Sequence, residues 1–502
     1  MADSAPSPPA DAVVLGVDSS TQSTKVEARR IGTGEVVGSG SAKHPPTTPP
    51  VSEQDPAAWW GALASACEQL GDIRNDVVAM SVAGQQHGLV LLDETGGVVR
   101  PAKLWNDTTS APEAAELVKA VGAGTFARSC GSVPGAAFTI TKLAWVLANE
   151  PDALRRVAKI MLPHDYLTWR LTGEHVTDRG DASGTGWFDP TADAYLPELL
   201  EHCSIDGIEW AERLPKVLDP TAVAGTVTSD AAAALGLPDG VQVGPGTGDN
   251  MGGALGLGLQ PGDAVMSLGT SGVVSAVSST PTADPSGEVA GFADATGGFL
   301  PLVCTLNATR VTDTVAGWLG TDAAGLSELA QAADYRAASV TLIPYFSGER
   351  TPNLPNASGS IHGLRTDTTR EELALAAHDG VLCGLFQGLE SLRVAEVAVD
   401  GTLHLIGGGA RSATYRQRCA DLWGRPIVVP DADETVATGA AVQAAVIAGS
   451  GLFADVQGNW KLGAGTSIEP REDAVPPNVL VPYDYLTGKA AEIEHEGGPQ
   501  WE

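Results

Sequence analysis

Apolar residues along this chain fall into two rhythms, short strand-like runs and longer stretches with helical spacing. The run Val13 to Val17 ends at Asp18, the polar segment SSTQSTK follows, and the chain resumes as an alternating strand, Val26 to Arg29. The same pattern returns downstream, where Ala264 to Leu268 enters the turn Gly269 to Gly272 and Val273 to Val277 follows at once. Further strands are predicted at Val77 to Val82, Gly88 to Leu92, Val340 to Tyr345, Leu403 to Ile406 and Ile427 to Val429. Helices are predicted between them at Pro56 to Leu70, Thr369 to Leu392, Ala413 to Trp423 and Thr435 to Ala448. Strands alternating with helices predict an α/β protein. The Gly/Pro-rich stretch Gly236 to Asn250 marks the expected hinge between domains at 12–243 and 244–468, and 469–502 reads as an acidic tail with little apolar periodicity.

The two strand–turn–strand segments are one device used twice. Turns of Gly, Ser and Thr leave backbone N–H groups and hydroxyls free to face an anion, so two of them can grip one polyphosphate. Asp18 closes the first strand, where a carboxylate can hold a divalent cation through water or hydrogen-bond the turn amides. In GGGARS, Gly407, Gly408 and Gly409 permit close approach of a nucleoside and Ser412 is an acceptable N-cap; alone, the segment reads equally as a tight strand-to-helix turn. Asp249 in GTGDN is a carboxylate with little bulk around it and a candidate general base, although such an Asp often only organises an Asx-turn. Gln86 and His87 in GQQHG offer an amide and an imidazole at a strand junction.

Composition narrows the class. At 502 residues with 43% hydrophobic residues, the chain can bury more than one core. A formal net charge of -31 disfavours nucleic acid and anionic membranes as partners, so any triphosphate site must rely on backbone dipoles and a divalent cation. The acidic surplus also predicts tolerance of high salt, which a steady fall in activity and melting temperature from low to molar salt would refute. Six scattered cysteines without metal-ligand spacing are expected to be buried, reduced thiols. The start MADSAPSPPAD has neither a basic nor an apolar targeting region, and no stretch of about 20 apolar residues follows, so a cytoplasmic location is expected.

DSSTQSTK at Asp18, GDN at Asp249, GTSG at Gly269 and GGGARS at Gly407 occur in the order found in sugar kinases of the FGGY family, which the chain resembles from about Val13 to Ala448. AGQQHGLVLLD from Ala83, LWND from Leu104, LPHDYLTWRLTGE from Leu162 and DASGTGWFD from Asp181 are most similar to the xylulokinases within it. The resemblance implies an actin-like fold, two ribonuclease-H-like α/β domains with a hinge and an inter-domain cleft. It implies transfer from ATP to the terminal hydroxyl of D-xylulose, giving D-xylulose 5-phosphate, with Mg2+ as cofactor.

On this resemblance Asp249 is the general base, and Asp18, with Asp249, faces the metal. Ser20, Thr21 and Gln22 of the first turn and Gly269, Thr270 and Ser271 of the second hold phosphate, while Lys25 adds charge or is simply a solvated strand lysine. Gly407, Gly408, Gly409 and Ser412 bound the nucleoside site. Gln86, His87 and Asn250, with Trp105 and Asp107 as further contributors, contact the sugar. A homodimer is common among such relatives. The chain after Tyr485 departs from the pattern, since it does not read as the closing helix expected there. Two alternatives stay open, a kinase for L-ribulose, another ketopentose or a polyol, and an actin-like nucleotide-dependent assembly protein, against which Asp249 and GQQHG weigh.

Overall fold

The computed structural model describes residues 9–205, 208–336, 339–432, 434–474 and 477–495. The chain divides into two compact units. The first runs to Leu259 and takes in Ser279–Leu300 and Ala432–Gly463; the second holds Gln260–Ser278, Pro301–Asp431 and the chain from Ala464.

In the first unit, strand Val13–Ser19 pairs antiparallel with Ser23–Arg30, which pairs antiparallel with Val36–Lys43. On its other side Val13–Ser19 pairs parallel with Val77–Gly84, and Gln242–Val243 and Thr247–Gly248 extend that side in parallel. Val13–Ser19 is buried along its whole length, as a central strand covered on both faces must be. Val13, Leu15 and Val17 join Trp59 and Leu63 of helix Pro56–Glu68 and Met80 and Val82 in one apolar core.

On the opposite face helix Thr435–Ile447 approaches so closely that only glycine fits. A Cβ on Gly16 would lie 1.8 Å from the Ala437 carbonyl oxygen, and one on Gly439 would lie 1.9 Å from that of Gly252. This contact seats the short helix Asp249–Gly256, which begins at the predicted base.

The second unit repeats the topology. Strands Ala264–Leu268, Gly272–Ala276 and Phe299–Thr305 form an antiparallel meander, and Leu403–Ile406 then Ile427–Pro430 add in parallel beside Ala264–Leu268. Helix Arg370–Val394, opened by a capping box between Thr369 and Glu372, packs on this sheet. The duplicated meander with parallel strands beside its first member is the two-domain α/β fold that the repeated turn predicted.

Two expectations differ from what is found. The division anticipated at 243/244 would put Asp249 in the second domain, but strand Thr247–Gly248 pairs with Ala83 and Gly84, and Asp249 belongs to the first unit. The stretch taken as a tail carries helix Pro477–His495, which buries Tyr483 and Thr487 one turn apart against the second unit. Residues 496–502 of that tail lie outside the described residues. All six cysteines are free, five of them buried and Cys304 half-buried. Among the described residues no helix is long and apolar enough to cross a membrane.

Candidate functional site

The first predicted phosphate turn is tightly built. Ser20 N–H and its hydroxyl both donate to the Ser23 carbonyl, at 3.0 and 3.1 Å. Thr21 Oγ1 donates to Gln85 Oε1 at 3.0 Å and accepts from Trp105 Nε1 at 2.9 Å, so the partly exposed indole braces the turn. Gln22 is exposed. Lys25, opposite Asp18 in the strand register, ion-pairs at 2.6 Å with Glu434, a residue 409 positions away that the sequence did not single out.

Asp249 opens its helix with Gly248 as N-cap. Its Oδ1 accepts from Asn250 N at 2.9 Å and from Asn250 Nδ2 at 3.1 Å, and the same Nδ2 donates to Gln86 Oε1 at 2.7 Å. Asn250 thus ties the candidate base to the candidate sugar turn. Burial pushes the Asp249 carboxyl up to about 6, against the pull of these hydrogen bonds. Asp18 is pushed up to about 7, first by burial and then by the Asp249 charge, with Lys25 opposing and Glu434 adding. Among the described residues three buried polar atoms here have no hydrogen-bond partner: Asp18 Oδ1, Gln85 Nε2 and Gln86 Nε2. Buried polar atoms are ordinarily paired, so orphans gathered around one carboxylate pair point to a ligand that completes them.

His87 is held in a left-handed backbone conformation, φ 65°, which a non-glycine residue adopts only under constraint. The constraint comes from several sides. Its N–H donates to Asp181 Oδ1 at 3.3 Å, its carbonyl accepts from Thr139 Oγ1 at 3.1 Å, and its ring stacks on Phe138 at 5.2 Å. Asp107, in contrast, has both carboxylate oxygens engaged by the protein itself. It is fully buried and accepts from Ser52 N, Thr109 N and Thr109 Oγ1 beside the Lys103 ammonium at 3.1 Å, so it anchors the loop that carries Trp105.

In the second unit Gly269 N–H donates to the Ser271 carbonyl at 3.1 Å, which leaves Thr270 and Ser271 exposed at the tip. The glycine-rich segment packs directly on this turn. A Cβ on Gly407 would meet the Leu268 carbonyl oxygen at 2.7 Å, and one on Gly409 would meet Leu268 Cβ at 2.7 Å and Thr309 Cγ2 at 2.9 Å. Those two glycines answer to packing, whereas Gly408 faces open space. Ser412 caps helix Ala413–Trp423 by accepting from Tyr415 N. Thr309, which opens helix Thr309–Trp318, donates its N–H to the Gly269 carbonyl at 3.0 Å. That helix start was not anticipated; its signal was the small polar segment NAT before an apolar-periodic run.

Residues 13–256 match the N-terminal domain of the FGGY family of carbohydrate kinases, and residues 264–448 match its C-terminal domain. This chain belongs to the FGGY family of carbohydrate kinases. It is 48% identical over 463 residues to a xylulose kinase of Streptomyces coelicolor, covering 92% of this chain and 93% of that protein. A xylulose kinase of Streptomyces rubiginosus is likewise 48% identical, over 92% and 93%. The crystal structure of xylulose kinase from Bifidobacterium adolescentis superposes with a TM-score of 0.82 at 39% identity, covering 95% of this chain and 99% of that one. The fold is the actin-like ATPase architecture of FGGY kinases, and the chain is a carbohydrate kinase.

Proposed function

We propose that this kinase phosphorylates D-xylulose at its terminal hydroxyl with ATP, with Asp249 as the general base. The observation that carries the reading is the hydrogen-bonded line from Gln86 through Asn250 to Asp249, which joins amide donors suited to a sugar with a carboxylate of raised pKa. The 48% identity to two xylulose kinases supports the choice of sugar.

Phosphoryl transfer asks the enzyme chiefly to align donor and acceptor and to offset charge on the γ-phosphate. Gln86 and His87 hold the sugar hydroxyls, and Gln85 and Gln86 supply the buried amides that otherwise lack acceptors. Asn250 keeps Asp249 oriented while its carboxylate takes the hydroxyl proton. Thr270, Ser271 and the amides of the second turn hold phosphate, and the open face at Gly408 admits the nucleoside. Ser20, Thr21 and Gln22 form the other phosphate turn.

Mg2+ is commonly held by one or two carboxylates plus substrate phosphates rather than by a protein cage. Asp18, with its orphaned buried oxygen and Asp249 near enough to raise its pKa, fits that role. When bound, the ion neutralises charge on the transferring phosphate. The need for ATP accords with a cytoplasmic enzyme.

The test is ADP release with Mg-ATP against D-xylulose, D-ribulose, L-ribulose, L-xylulose, glycerol and gluconate, for wild type and Asp249→Ala. D-xylulose is expected to give the highest kcat/KM, and the variant is expected to lose ~10²- to 10⁴-fold while keeping its fold. A different preferred sugar overturns the substrate; a variant as active as wild type overturns the base.

A further inference from the structure

A second set of ionisable side chains lies wholly buried beneath the candidate sugar turn, and none of them reaches the reacting groups. His164 Nε2 is 3.2 Å from Asp165 Oδ1, 3.3 Å from Asp178 Oδ1 and 3.5 Å from Asp181 Oδ2. Charged groups are seldom buried so completely unless they are paired, and one imidazole facing three carboxyls is a costly arrangement to keep for packing alone.

The cluster's outer bonds show what it holds. Asp181 Oδ1 accepts the N–H of His87, the residue in the left-handed conformation. Asp178 Oδ2 accepts from Thr247 Oγ1 at 2.8 Å and from Gly180 N at 2.8 Å. Thr247 stands two residues before Asp249 on the strand Thr247–Gly248, which pairs with Ala83 and Gly84 just ahead of Gln86. His164 fills the space where these strands meet. A Cβ on Gly246 would fall 2.6 Å from His164 Nδ1, and one on Gly84 would fall 3.2 Å from His164 Cβ.

We infer that His164, Asp178 and Asp181 are positioning residues that set the sugar turn at His87 and the base-bearing turn at Thr247 to Asp249 in fixed relation, and so determine sugar affinity and alignment. The inference rests on the proposed roles of His87 and Asp249. Burial lowers the His164 pKa, but Asp165, Asp178 and Asp181 outweigh it and raise it to about 9, so the imidazole is a cation at neutral pH. Burial raises the Asp181 pKa, with the His164 charge pulling against it and Asp178 and Asp165 adding to it. Asp181→Asn keeps a side-chain oxygen that can accept from His87 N–H, whereas Asp181→Leu removes it, and this gives a sharp test.

Three variants are compared with wild type by steady-state kinetics in both substrates, by calorimetric D-xylulose binding and by thermal unfolding. Asp181→Asn is expected to stay within about twofold of wild type in every constant. Asp181→Leu is expected to raise the D-xylulose KM about tenfold or more while the ATP KM stays within about twofold. Thr247→Val, nearly isosteric and outside the charged set, is expected to lower kcat/KM for the sugar about threefold to tenfold with the ATP KM unchanged. The inference is overturned if a folded Thr247→Val matches wild type, if Asp181→Leu behaves like Asp181→Asn, or if both KM values move together in proportion to the folded fraction. If Asp181→Leu does not fold, Thr247→Val decides alone. Wild type that neither binds nor phosphorylates any ketopentose would instead sink the functional reading beneath it, which is a separate result.

Discussion

Replacing Asp18 with asparagine should make the protein more stable at alkaline pH and inactive. Burial and the Asp249 charge raise the Asp18 pKa from 3.8 to about 7. A carboxyl whose folded pKa lies above its unfolded one contributes stability that is fully present below the unfolded value and lost as pH rises through the folded value. Between pH 3.8 and 7 the native state therefore loses ~4 kcal/mol, at about 1.36 kcal/mol for each tenfold change. At pH 5 the loss is only ~1.5 kcal/mol by the same relation.

Asparagine carries no charge and escapes the loss, although its amide group must find a partner where Oδ1 had none. We expect Asp18→Asn to gain ~2 to 4 kcal/mol at pH 8. In a unit of this size that corresponds to roughly 4 to 8 °C in the melting transition. Scanning calorimetry of both proteins at pH 8 and pH 5, without nucleotide or Mg2+, measures it. The gain at pH 5 should be less than half that at pH 8. No gain at pH 8, or an equal gain at both, would refute the account of a desolvated functional carboxylate. The trade of activity for stability is the expected signature of a site whose groups are poised for a ligand.

Three further predictions follow from the same geometry. If Asp249 is the base, kcat/KM for the sugar should fall tenfold per pH unit below about 6, as protonation removes the carboxylate; an acid limb near pH 4 would contradict the raised pKa. Asp107→Ala should cost ~3 kcal/mol in denaturant unfolding by leaving the buried Lys103 ammonium poorly paired, with the sugar KM little changed once the protein is folded; a selective rise in that KM would restore Asp107 to the sugar site. Tyr483→Ala should cost ~3 to 5 kcal/mol, since the side chain is fully buried where helix Pro477–His495 packs on the second unit; an unchanged melting temperature would mean that the helix does not seal that core.

Elements with a strong local period were legible from the sequence. Leu403–Ile406, Ala264–Leu268 and Ala413–Trp423 stand where the pattern puts them, because side-chain alternation or helical spacing over several residues is a local property. The two-residue strands Gln242–Val243 and Thr247–Gly248 are too short to show any alternation, yet they assign Asp249 to the first unit. The closing helix escaped notice because its apolar residues do not keep a helical period: Tyr483 is buried while Val481 and Tyr485 are exposed, and Pro482 stands inside it.

The candidate chemistry divides in the same way. The identity of the turns, the glycines that let an anion approach and the carboxylate in GTGDN are statements about residue type and neighbours, and the chain states them by itself. The sequence could not say that Lys25 is held by Glu434, that Asp107 is consumed by Lys103 and Thr109, or that Asn250 links Gln86 to Asp249. It could not say that four ionisable groups spread from His164 to Asp181 converge beneath His87. Those pairings join residues far apart in the chain, and only packing decides which polar atoms lose water together and must satisfy one another. Residue type names the groups that can do the chemistry, and burial in the folded chain decides which of them are left free to do it.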